Sequence, residues 1–100
     1  MIARVVTGRL REDAGPDEKQ SALEDALKVF GSYPGFRAGF CLETPQGQEG
    51  VLMVTIWDSE DDAFAAANAA KTRLGLEAFS VLLDEPPRNR LYPVAAFLGF

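Results

Sequence analysis

Histidine is absent from the 100-residue chain, and cysteine occurs once, at Cys41. The first absence removes the commonest general base and the nitrogen ligand that haem iron and zinc most often use. The second excludes an intrachain disulfide framework, leaves no histidine-activated thiol nucleophile, and fits a reducing compartment. Positive charge is in short supply too. Ten Lys and Arg against fifteen Asp and Glu leave a net charge of −5. A nucleic acid or an anionic membrane needs a basic stripe, so neither is expected as a partner. No apolar run approaches the roughly 20 residues of a membrane span. Met1-Ile2-Ala3-Arg4 carries no basic segment ahead of an apolar core, so no signal peptide is expected and the localisation is read as cytoplasmic. There is no internal repeat, low-complexity tract or linker, which predicts one domain over residues 1–100.

What is present is organised around residues 51–70. Val51 to Trp57 is apolar apart from Thr55 and rich in β-branched residues. Val51, Met53, Thr55 and Trp57 fall on one face, and Leu52, Val54 and Ile56 on the other. A strand apolar on both faces belongs in the middle of a sheet that is covered on both sides. Ser59, with Asp62 three residues on, resembles a capping box, and Glu60, Asp61 and Asp62 place negative charge where a helix N-terminus favours it. An alanine-rich helix follows through a two-residue joint, Asp58-Ser59.

The rest of the chain is read against this centre. Residues 2–10 form a first strand with Ala3, Val5 and Thr7 on one face and Ile2, Arg4, Val6, Gly8 and Leu10 on the other. Residues 17–30 form a helix, with Leu23, Ala26, Leu27 and Phe30 at helical spacing and Gly31 placed to stop it. In residues 36–43, Phe36, Ala38, Phe40 and Leu42 alternate with Arg37, Gly39, Cys41 and Glu43, predicting a half-buried strand with the first four on one face. Residues 44–50 make a hairpin-type loop. Gly75 interrupts the second helix, residues 76–83 predict a short further helix, and Pro86-Pro87 ends it. Residues 91–100 predict a last strand, in which Pro93 marks an edge position or a bulge.

The element order β-α-β-β-α-β predicts an α+β, ferredoxin-like subunit. Right-handed crossovers give a four-stranded antiparallel sheet of order 4-1-3-2 with both helices on one face. No element remains for the second face. A second copy packed sheet against sheet, as a homodimer, is the economical cover.

Pro34-Gly35-Phe36 opening the second strand, Trp57 ending the third, and Ser59 with Ala63 and Phe64 starting the second helix resemble the antibiotic-biosynthesis-monooxygenase family. The resemblance covers nearly the whole chain in element order. It implies a dimeric α+β barrel with a pocket between helices and sheet. It also brings a range of activities, since fold does not fix function. The haem-degrading branch of that superfamily uses a histidine ligand, a tryptophan three residues after the helix phenylalanine, and an asparagine on the first strand. Here there is no histidine, the tryptophan position falls on Ala67, and the asparagine position falls near Thr7 or Gly8. Haem degradation is therefore not expected, and no cofactor or metal is expected to be required.

Candidate site residues carry two readings each. Trp57 either caps the sheet and packs against the second helix or stacks on a ligand. Tyr33 and Tyr92 either line loops and edges or donate hydrogen bonds to a quinone or phenol oxygen. Arg37 is a solvated charge, an ion-pair partner of Glu43, or a clamp for an anionic substrate. Arg4 shares a face with Ile2 and Val6 and, once buried, needs a partner, either an acid across a dimer interface or a ligand carboxylate. Asn68 is exposed or points towards a pocket between helix and sheet. The small residues of the second helix allow close packing or a cavity. These readings yield two function classes. One is a cofactor-independent monooxygenase, with Tyr33, Tyr92 or Asn68 as the weak catalytic candidates, acting on a small aromatic or quinone-like molecule that Trp57, Arg4, Phe64 and Ala67 would contact. The other is a non-enzymatic dimeric module binding a small apolar ligand. Convergence of Tyr92, Asn68, Arg4 and Trp57 on one cavity would favour the first.

Overall fold

The computed structural model describes residues 1–11, 13, 15–43, 50–69, 77, 80 and 83–99. Six elements run through them: β1 (Ile2–Gly8), α1 (Pro16–Gly31), β2 (Phe36–Glu43), β3 (Val51–Trp57), α2 (Glu60–Asn68) and β4 (Arg88–Pro93). The sheet order is β2-β3-β1-β4, and every adjacent pair is antiparallel. This is the expected ferredoxin-like topology. The hairpin loop at 44–49, the interruption at Gly75 and most of the short helix expected at 76–83 lie outside the described residues.

β3 occupies the centre for the reason its pattern implies. Val51, Met53, Thr55 and Trp57 are buried beneath the helices. They form one core with Val6 of β1, Leu23, Ala26 and Phe30 of α1, and Ala63 and Ala66 of α2. The intervening Leu52 and Val54 are only half-buried on the opposite face, away from both described helices.

Both helices start on local signals. α1 opens with Pro16, whose missing N–H is no loss in a first turn, and carries Asp17 and Glu18 there and Lys28 in its last turn. Gly31 is its last helical residue rather than a left-handed stop. The chain leaves through Ser32, whose hydroxyl donates to the Val29 carbonyl at 2.6 Å. At α2 the Asp62 amide donates to Ser59 Oγ at 3.2 Å, and the Ser59 hydroxyl donates to Asp62 Oδ2 at 3.0 Å.

Three details of the strands differ from the sequence reading. The alternation in β2 breaks at a bulge: Phe36 pairs with Trp57, but Ala38 already pairs with Ile56. The extra residue, Arg37, turns Phe36 onto the helix side while Ala38, Phe40 and Leu42 stay on the open side. Arg37 also pairs with Asp58, not with Glu43, which binds Lys19 at 3.0 Å. β4 runs over Arg88–Pro93 rather than 91–100. Its ladder to β1 ends where Ile2 meets Pro93, which has no N–H to extend it. β4 is an edge strand, as Pro93 requires.

Gly35 makes the close approach between the β2 entry and α2. Its φ is +83°, and an added Cβ would lie 2.3 Å from Asp62 Oδ2. Its carbonyl accepts the Asp58 amide at 2.8 Å. Gly35→Ala is expected to destabilise the fold by about 1–3 kcal/mol from backbone strain alone. Urea unfolding measures this, and an unchanged midpoint would show that the turn tolerates a side chain.

Candidate functional site

The site grows out of one row across the sheet. Leu91 of β4, Arg4 of β1, Thr55 of β3 and Gly39 of β2 are successive partners and share the helix-facing side. Trp57, two residues beyond Thr55 on the same face, donates its indole N–H to Thr55 Oγ1 at 2.9 Å. Its ring meets Phe30 edge-on at 6.1 Å between centroids and Phe36 at 5.4 Å. Trp57 has no exposed surface, so both its apolar area and its polar handle are used in the core.

Arg4 is a buried cation, 8% exposed, with its guanidinium carbon 5.5 Å from the Phe30 ring centroid. That cation–π contact is its only described electrostatic partner. Its Nη1 is buried without a hydrogen bond, and the ion pairs among the described residues do not include it. Burial pushes its pKa below the ordinary arginine value. An arginine nevertheless stays protonated throughout the neutral range, so the unmade hydrogen bond persists there. Because Arg4 faces the helices, an acid from a copy docked on the open face would have the sheet between it and the guanidinium.

Beside Arg4 lies a cavity of about 460 Å³ between α2 and the β1–β4 edge. Ala63, Ala67 and Phe64 form its α2 wall, and the small size of the two alanines leaves space beside the helix. Asn68 stands at the end of α2, and Asn89 and Leu91 line the β4 side with Arg90. The described lining thus holds two arginines, two amides and no carboxylate, in a chain of net charge −5.

Of the residues singled out from sequence, Arg4, Phe64, Ala67 and Asn68 meet at this cavity. Trp57 is in the core next to it. Tyr33 is half-buried in the α1–β2 turn against the core. Tyr92 pairs with Ala3 and therefore projects to the open face, where it is 47% exposed. The convergence of all four indicator residues is thus not met: Arg4 and Asn68 converge, Tyr92 and Trp57 do not. Asn89 and Leu91 were missed from sequence. Their signal was parity with Arg4 on an edge strand, hidden because the strand start was placed three residues too late. Cys41 pairs with Met53, packs against the core, and has its thiol pKa raised by burial. Among the described residues no cluster of three or more His, Cys, Asp or Glu could hold a metal ion, and no helix is long and apolar enough to cross a membrane.

Replacing Arg4 by the similarly shaped apolar Met removes a cation–π contact worth about 1 kcal/mol. It also removes a desolvated charge with an unmade hydrogen bond, whose replacement is often neutral or stabilising by about 1–4 kcal/mol. Arg4→Met is therefore expected to leave stability unchanged or raise it. A lowered folded-state pKa means the cost is present at every pH below that pKa. The difference between the two proteins should then be constant from pH 6 to 9 in thermal unfolding. A variant destabilised by several kcal/mol would show that Arg4 holds the fold together.

No family model matches the chain, and no curated protein matches it. Solved structures do. SnoaB, a cofactor-independent oxygenase from Streptomyces nogalater, superimposes with a TM-score of 0.82 at 16% identity over 97% of this chain and 95% of its own. A Nitrosomonas europaea protein named "Putative antibiotic biosynthesis monooxygenase" gives 0.82 at 14% identity over 96% and 100%. A dimeric ferredoxin-like protein of unknown function from Thermobifida fusca gives 0.77 at 16% identity over 93% and 90%. With the strand order and the helix-covered face already established, the chain has the ferredoxin-like α+β fold of the antibiotic biosynthesis monooxygenase-like proteins.

Proposed function

We propose that this protein binds a small aromatic or quinone-like molecule in the α2 cavity and oxygenates it with dioxygen, without a cofactor. The observation that carries the reading is the cavity itself. Its α2 wall is built from two alanines and one phenylalanine, and Arg4, Asn68 and Asn89 bring polar groups to it from β1, the end of α2 and β4, which suits a small ring system with oxygen substituents. The likeness in fold to SnoaB, named as a cofactor-independent oxygenase, supports the reaction class.

In this chemistry the substrate supplies the electrons. At an activated ring methylene, two C–H bonds are lost and one oxygen atom enters as a carbonyl. The other oxygen atom leaves with the two hydrogens as water, so four electrons pass from substrate to dioxygen. The protein contributes a dry cavity and donors for the oxyanion that forms on deprotonation. Asn68 and Asn89 are the amides positioned to hold ring oxygens.

One observation favours a second reading, a binding module without catalysis. The described lining contains no group that takes up a proton at neutral pH, so deprotonation would rest on the substrate's own acidity. Oxygen-electrode assays with anthrone, without added metal, flavin or nicotinamide, separate the two. The oxygenase reading expects uptake of one dioxygen per anthraquinone formed, at a rate well above the protein-free blank. Binding of anthrone with uptake equal to the blank supports the module.

We propose also that two copies meet through the open sheet face, where Val5, Val54 and Leu42 lie uncovered by either described helix. Two of the fold relatives are described as dimeric ferredoxin-like proteins, which supports this. Val54→Arg, at the centre of that face, is expected to convert a dimer to a monomer in sedimentation velocity. A wild-type monomer at micromolar concentration would overturn the arrangement.

A further inference from the structure

We propose that the α2 cavity is selective for an anionic ligand, an aromatic carrying a carboxylate that pairs with Arg4. This rests on the reading of that cavity as the ligand site and adds the charge of what enters it. Arg4 is more than nine-tenths buried, lines the cavity, and leaves Nη1 without a partner. Buried guanidinium groups are paired in folded proteins, because desolvating a charge without compensation is costly. Here the described residues provide only the Phe30 ring, 5.5 Å from the guanidinium carbon, and Nη1 keeps no hydrogen-bond partner.

The remaining surroundings point the same way. Among the described residues no acidic side chain lines the cavity, although acids outnumber bases in the chain. Arg90 borders it from β4 but pairs with Val5, so its side chain projects to the open face. The acids at the start of α2 sit at the opposite end of that helix from Asn68. An anionic headgroup would therefore meet Arg4 with no described carboxylate beside it. The planar fork of arginine matches a carboxylate in two parallel hydrogen bonds, which fixes orientation as well as affinity. The aromatic body would then lie along Phe64, Ala67 and Leu91, with Asn68 and Asn89 available to ring oxygens.

The test compares 2-naphthoate with 2-naphthamide, equal in shape and different in charge, by isothermal titration calorimetry on the full chain. The wild type is expected to bind the naphthoate at least tenfold more tightly. Arg4→Met is expected to abolish that preference while keeping its affinity for the amide, and Arg4→Lys to retain part of it. Because Arg90 is exposed and projects to the other face of the sheet, Arg90→Gln provides a folded variant in any case and is expected to keep most of the preference. Equal wild-type affinities for the two probes, or a preference that survives Arg4→Met, would overturn the inference while leaving the cavity as an apolar ligand site. An Arg4-dependent preference without oxygen uptake from any carboxylated substrate would sustain it and remove the oxygenase reading. Absence of binding by both probes at millimolar concentration would overturn the cavity reading and this inference together.

Discussion

The packing of Trp57 is the interaction on which the other parts depend. Its indole is fully buried, its N–H is spent on Thr55, and its edges receive Phe30 from α1 and Phe36 from β2. Each aromatic contact of this kind contributes about 0.5–1.5 kcal/mol beyond the area it buries. More important is what the cluster positions. Phe30 sets the height of α1 above the sheet and supplies the face on which Arg4 rests. Phe36 reaches the cluster only because the bulge at Arg37 turns it to the helix side, and its ring then covers Gly39. An added Cβ at Gly39 would lie 2.9 Å from Phe36 Cζ and 3.0 Å from Leu27 Cδ2, so these side chains would have to shift.

Next to this tight cluster the α2 side is loose. The two ends of the sheet differ because α1 presents Leu23, Ala26 and Phe30 to it, whereas α2 presents Ala63 and Ala66. Large side chains from one helix fill their half of the layer, and small ones from the other leave the space that Arg4 borders. The molecule thereby carries a buried cation at the boundary between a closed core and an open cavity. Replacing a buried charge by an apolar residue is often neutral or stabilising, so Arg4 departs from what packing alone would select.

The open sheet face raises the complementary question of coverage. Val54 and Phe40 are only half-buried there and Leu42 is 49% exposed, while Ile56 on the same face is buried near the end where the chain returns past Met1. That return, fixed by the Val94 amide donating to the Met1 carbonyl at 3.1 Å, shields one end of the face. The two faces therefore differ: one holds the core and the cavity, and neither described helix covers the other.

Sequence alone determined the element order, the sheet order, the two faces of β1 and β3, the Ser59 cap and the edge position of Pro93. Each of these follows from a local rule, either the period of two along a strand or the chemistry of a helix end, and local rules are written in consecutive residues. It also marked Arg4 as a cation on a buried face. Tertiary structure decided the rest. The bulge that sends Phe36 to Trp57 depends on strand pairing across two elements, and the partner of Arg37 depends on the same bulge. That Arg4 lies beside a cavity with Asn68 and Asn89, and that Trp57 does not, depends on how far α2 stands from the β1–β4 edge. Such distances are set by the packing of side chains remote in the chain, and no periodicity within one segment encodes them.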